Sequence, residues 1–210
     1  MTYKHLSFVS LFAVAALSAS AQRNVENFNF GWQFHRGNID VAAINTSDGS
    51  WETINVPHDF QISQPWVAPA ANESEDNSDG ASNFKSRLSA RGFKEMGDGW
   101  YVKTYTPAAD MKGRRILLDF EGIMYVGDVY LNGKRIGGTD YGYLGFDIDV
   151  SKLLKYGQAN TIAVHASTSG PLNSRWYTGG GLYRDVKIVS TPADIYFVRH
   201  PLYVTTTDNH

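Results

Sequence analysis

The sequence predicts an all-β sandwich, and three features carry that prediction. Aromatic residues reach 13% and glycines number 20 while charged residues stay at 19%, a balance that favours pleated strands and turns over exposed helices. Short segments alternate apolar and polar residues, with turn signals between them. No strand–helix rhythm of the kind that builds a parallel sheet runs through the chain. At 210 residues, 42% of them hydrophobic, the chain is long enough for one domain with a real core and the beginning of another. A formal charge of -2 leaves no basic excess for nucleic acid. The absence of cysteine excludes disulfides, thiolate metal sites and lipid attachment through Cys.

The elements follow in order. Lys4 and His5 precede an apolar run, Leu6 to Leu17, that ends in Ser18-Ala19-Ser20-Ala21. A basic start, a short apolar stretch and an Ala-x-Ala site read as a secretory leader, 1–21, cleaved to leave Gln22 first. The run is short for a membrane span, so the mature protein is expected in the periplasm or outside the cell. Phe28, Phe30, Trp32 and Phe34 fall on alternate positions and predict one strand with a single apolar face. Asp40 to Ser50 reads as a polar loop, and Trp51 to Val56 as a strand punctuated by Pro57-His58-Asp59. Residues 68–95, with the acidic run Glu73 to Gly80, read as a mobile insertion. That run lacks the spacing of a calcium loop.

Strands resume at Gly97 to Tyr105 and Arg115 to Phe120. Met124 to Leu131 and Lys134 to Gly138 flank Asn132-Gly133, the signal for a type I′ hairpin. Tyr141 to Val150 reads as a strand, Ser151 to Tyr156 as a helical turn capped by Ser151, and Thr161 to Ala166 as another strand. Ile195 to Thr206 alternates once more. The total is roughly nine or ten short strands, the pattern of a sandwich or barrel.

The chemistry concentrates in Asn173-Ser174-Arg175-Trp176-Tyr177-Thr178-Gly179-Gly180-Gly181-Leu182-Tyr183-Arg184-Asp185-Val186. Glycines admit the backbone angles a tight bend needs, which lets side chains from both arms meet. Arginine forks, an acceptor-only carboxylate and flat aromatic faces suit a sugar ring, with its hydroxyl pairs and its C–H face. The working expectation is a loop leaving the edge of a sandwich and presenting Arg184 and Asp185 to a sugar. Gly179 to Gly181 do not join a strand to a helix as a phosphate cradle would.

Seven blocks, in one order from Phe28 to Val189, together resemble a known family. They are Phe30-Gly31-Trp32-Gln33-Phe34, Val56-Pro57-His58-Asp59-Phe60, Gly99-Trp100-Tyr101-Val102-Lys103, Phe120-Glu121-Gly122, Val129-Tyr130-Leu131-Asn132-Gly133, Gly142-Tyr143-Leu144-Gly145-Phe146, and Arg175-Trp176-Tyr177 through to Tyr183-Arg184-Asp185-Val186. The resemblance is to the N-terminal sugar-binding domain of glycoside hydrolase family 2, above all its bacterial β-galactosidases. It implies a jelly-roll sandwich over 22–191 and, over 192–210, the first strand of a truncated immunoglobulin-like domain. It also implies a longer enzyme of carbohydrate catabolism, whose TIM barrel holds both catalytic glutamates. Retaining glycosidases need two carboxyl groups about 5 Å apart. None of Glu26, Glu52, Glu73, Glu75, Glu95 or Glu121 matches the family's catalytic motifs, so no hydrolysis is expected from this chain alone. The partners expected are a β-galactoside or related glycan and the immunoglobulin-like and barrel domains, which would dock on this one. A free-standing carbohydrate-binding module, or the same domain from a β-glucuronidase or β-mannosidase, is the alternative.

By the same resemblance Asp185 reaches a sugar subsite of the neighbouring barrel. In some members it helps hold sodium, and sodium or magnesium is the ion to consider in a longer enzyme. Asp59 either faces that site or bonds its own turn. His58 is expected to be structural, bonded to a neighbouring loop. Arg175 and Trp176 shape the pocket, Trp176 either stacking on sugar or anchoring the loop. Arg184 either orients Asp185 or covers apolar surface with its stem. Trp100, Tyr101, Tyr130 and Phe146 are assigned to the core. His58 and His165 have no zinc spacing.

Overall fold

The computed structural model describes residues 22–67, 92–169, 177–199, 202, 204 and 205. Ten strands form two antiparallel sheets. They are β1 (Asn24–Asn27), β2 (Trp32–Arg36), β3 (Glu52–Ile54), β4 (Asp98–Tyr105), β5 (Arg115–Phe120), β6 (Val126–Leu131), β7 (Lys134–Thr139), β8 (Phe146–Asp149), β9 (Asn160–Ser167) and β10 (Val186–Thr191). One sheet has four strands in the order β1-β10-β5-β8, the other six in the order β3-β2-β4-β9-β6-β7. This is the all-β sandwich the sequence predicts. Residues 1–21, read as a leader, and 68–91 of the expected insertion lie outside the described residues, as do Arg175 and Trp176. Residues 92–95 of that insertion are not mobile but anchored, Lys94 bridging to Trp66 and donating to the Gln64 carbonyl at 2.7 Å.

Alternation along each strand builds the core. Ile116, Leu118 and Phe120 of β5 and Val186 and Ile188 of β10 face Tyr101, Val129, Ile162 and Val164 across the two sheets. The opposite face of the larger sheet carries a second cluster, where Trp100, Val102 and Ala163 are covered by Ile39, Val41, Ile44 and Trp51. The Asp40–Ser50 loop therefore works as a lid on that sheet. It contains a short 3-10 turn, Val41–Ala43, whose N-cap Asp40 accepts from the Ala42 amide. Trp100 and Tyr101 are both core residues, but of different cores. Tyr130 and Phe146 are partly buried, packed against the outer and the central cluster respectively.

Several expectations are corrected. The run from Asn24 to Phe34 is two strands, one in each sheet, because the chain crosses the sandwich between Phe28 and Gly31, with Gly31 at φ +73. Phe28, Trp32 and Phe34 are buried, whereas Phe30 sits on the crossing and is 63% exposed. In Tyr141–Val150 only Phe146–Asp149 pairs as a strand. The turn expected at Ser151 forms, with the Leu153 and Leu154 amides donating to the Val150 carbonyl at 2.9 and 3.1 Å, but Ser151 does not cap it: its hydroxyl accepts from the Ile116 amide at 2.8 Å. None of the described residues from Ile195 onward is in a strand. That segment pairs with no strand among the described residues; it lies across the outer face of the smaller sheet, with Tyr196 under Arg115 and Arg199 ion-paired to Asp119. The Asn132-Gly133 hairpin forms as read, with φ +52 and +81, the two left-handed residues a type I′ turn requires.

Candidate functional site

The glycine loop is wedged between two other segments. On one side the His58 and Phe60 amides donate to the carbonyls of Leu182 and Gly180 at 2.7 and 2.9 Å. On the other, Met124 and Gly181 exchange both backbone bonds at 2.6 and 2.8 Å. Each glycine is required by its surroundings. A Cβ on Gly179 would stand 2.7 Å from Asp59 Oδ2, one on Gly180 would stand 2.7 Å from Thr168 Cγ2, and one on Gly181 would stand 2.1 Å from the Tyr101 hydroxyl. The loop leads into β10, which lies inside the smaller sheet and not at its edge.

Asp59 holds this arrangement together. Its Oδ1 accepts from the amides of Gln61 (2.9 Å), Ile62 (3.3 Å) and Gly180 (2.9 Å), and its Oδ2 from the Tyr177 hydroxyl (2.7 Å). Burial, reinforced by the bond to this carboxylate, pushes the Tyr177 hydroxyl far above its ordinary range, so it stays a donor. Of the two roles considered for Asp59, the structure shows the turn-bonding one, extended to a clamp on the glycine loop. His58 bonds the Tyr101 hydroxyl on β4 at 2.9 Å, a strand where a loop was expected. Burial pushes the His58 imidazole down and the Tyr101 phenol well up, so both remain neutral near pH 7.

Asp185 is built differently. It is partly buried, and its Oδ1 accepts from Asn29 Nδ2 at 2.9 Å. Asn29 is 6% exposed, and its own Oδ1 accepts from the Val186 amide at 2.8 Å. The other oxygen of Asp185 takes no hydrogen bond among the described residues and remains available. Arg184 is exposed and does not pair with Asp185. Its guanidinium lies 4.9 Å from the Tyr183 ring centre and reaches the carbonyls of Glu121 and Tyr143 at 3.4 Å. Glu121 pairs with Lys187, which raises the Lys187 ammonium above its ordinary value. The structure thus joins Asp59 to the glycines and Tyr177, and Asp185 to Asn29, while Arg184 contacts the Tyr183 ring and two backbone carbonyls and does not orient Asp185.

Asn29 is the residue that sequence reading missed. A single buried amide that donates to Asp185 and accepts from Val186 orients the carboxylate. The available signal was an Asn among core aromatics in Asn27-Phe28-Asn29-Phe30-Gly31. Among the described residues no group of three or more His, Asp or Glu converges on a metal site. Asp185 belongs to no such group, so no cluster of carboxylates among the described residues supports sodium or magnesium there.

Similarity to known proteins agrees with this fold. Residues 88–175 match the family model described as glycosyl hydrolase 2 galactose-binding domain-like. The chain is 34% identical over 170 residues to a putative β-glucuronidase of Formosa agariphila, covering 80% of this chain and 15% of that protein. It is 30% identical over 196 residues to a β-galactosidase of Bacteroides ovatus, covering 93% of this chain and 21% of that one. Among solved structures, a β-glycosidase from Bacteroides vulgatus superposes with a TM-score of 0.66 at 30% identity, over 80% of this chain and 20% of that one.

Sandwich and loop together define a galactose-binding-domain-like module. The chain belongs to glycoside hydrolase family 2, as that family's N-terminal domain. It spans about a fifth or less of the length of the relatives it matches.

Proposed function

We propose that this chain is the N-terminal sandwich of an exported family 2 glycosidase of β-galactosidase type. In this reading Asp185 completes a terminal-sugar subsite built mainly by the rest of a longer polypeptide. The observation that carries it is the state of Asp185. One carboxylate oxygen is fixed by a buried amide and the other accepts no hydrogen bond from the described residues, an acceptor oriented in advance for a sugar hydroxyl. Arg175 and Trp176, expected from the sequence to shape the pocket, lie outside the described residues. The bond-breaking carboxylate pair belongs to the missing barrel, which would dock beside this loop.

A β-glucuronidase is the second reading, favoured by the name of the Formosa relative. The carboxylate of Asp185 weighs against an anionic uronate beside it through like-charge repulsion. Aryl β-galactoside and β-glucuronide, offered to the longer enzyme, separate the two. In that enzyme Asp185→Ala should lower kcat/KM by roughly 10- to 100-fold, the equivalent of one hydrogen bond to a charged group. Unchanged kinetics would remove the role.

A further inference from the structure

The outer face of the smaller sheet holds a cavity that the glycine loop does not touch. Ile116, Leu118 and Phe120 of β5 face the core, so Leu117 and Asp119 face outward. Leu117 and its cross-strand partner Val189 are nonetheless 7% and 3% exposed. Together with Phe197 and Val198 of the segment after β10, they line a cavity of about 360 Å³. Its polar lining includes Arg23, Asp119, Asp147 and Arg199.

We propose that this cavity binds a neutral mono- or disaccharide. The C–H face of the sugar rests on Phe197 and Val198, above a floor closed by Leu117 and Val189, and its hydroxyls bond Asp147, Asp119 and Arg23. Three features select that ligand class. Two guanidinium groups and two carboxylates balance in charge, so neither an anion nor a cation is favoured. Carboxylates only accept and guanidinium groups only donate, and a hydroxyl answers both. The volume lies near the lower end of small-molecule sites, about 300–1,000 Å³.

The site is held open in advance. Arg199 is ion-paired to Asp119 and sits so close over Gly145 that a Cβ there would stand 2.3 Å from Nη2. Arg115 lies 4.1 Å from the Tyr196 ring centre. These two tethers fix the segment that bears Phe197, which lowers the ordering cost of binding. Asp119 uses only Oδ1 in its ion pair, and the side chains of Asp147 and Arg23 make no hydrogen bond or ion pair among the described residues.

The inference stands independently of the role of Asp185. The test is calorimetric titration of the purified chain with galactose, glucose, lactose and cellobiose at millimolar concentration. Saturable binding of at least one sugar is expected. It should weaken at least tenfold in Asp147→Ala and in Phe197→Ser. Phe197 is 79% exposed, so its replacement removes no core packing, and a thermal scan verifies the fold. Binding that survives both substitutions, or that Asp185→Ala abolishes while Asp147→Ala does not, would overturn the proposal. So would silence toward every sugar; hydrogen-exchange protection at Phe197 in the longer enzyme would then identify the cavity as a docking socket.

Discussion

Asp59 and Asp185 show how two aspartates in similar sequence settings come to differ. Asp59 follows Pro57-His58 and accepts four bonds, three from backbone amides and one from Tyr177. A carboxylate so committed has little capacity left for a ligand. Its contribution is structural, and Asp59→Ala should cost on the order of 2–3 kcal/mol of stability, because bonds to a charged group are lost and the Gly180 amide loses its partner. Urea unfolding measures this, and a loss under about 0.5 kcal/mol, the level of an ordinary surface change, would refute the clamp. Asp185 accepts one side-chain bond, from Asn29, and keeps an oxygen free. Sequence reading left the role of Asp59 open between turn and substrate. A carboxylate after proline suits either, and the decision rests on Tyr177 and Gly180, which lie more than a hundred positions away.

Among the elements, the glycine triplet and the Asn132-Gly133 hairpin were legible from residue type alone, since both need left-handed backbone that few side chains tolerate. The triplet carries a second constraint that residue type does not reveal. Gly181 has φ +115, and a Cβ there would overlap the Tyr101 hydroxyl. Gly181→Ala should therefore destabilise the domain by at least about 1–3 kcal/mol, the range for overpacking a filled site. Thermal unfolding checks this, and an unchanged midpoint would show that the loop does not sit against β4. The division of Asn24–Phe34 into β1 and β2 was not legible. Apolar alternation continues through Phe28, Phe30, Trp32 and Phe34, and nothing in a period of two shows that the chain changes sheets midway. Tyr141–Val150 was over-read for a related reason. Tyr141 and Tyr143 alternate but Phe146 falls out of that phase, and among the described residues only Phe146–Asp149 finds a partner, β5.

For the molecule as a whole, one core between the sheets and a smaller one outside the larger sheet account for the buried aromatics. Lys103 donates to the carbonyls of Phe28 and Phe30 at 2.9 and 2.7 Å, and its ammonium lies 3.7 Å from the Phe28 ring centre. It thereby ties the sheet crossing to β4. Ile195, Phe197, Leu202 and Val204 are 79–89% exposed, an apolar row that the described residues leave uncovered. The exported protein is expected to begin at Gln22. Sequencing its N-terminus checks this, and a chain still starting at Met1 in the periplasm or medium would end the export proposal.

The sequence by itself determined the all-β class, the approximate strand number, the tight turns and the family. These depend on local alternation, on backbone chirality and on blocks of residues in a given order. Tertiary structure decided which aspartate is bound up and which is open, where the chain changes sheets, and that Leu117 and Val189 line a cavity. Each of these depends on contacts between residues far apart in the chain, which a period of two or a motif cannot specify.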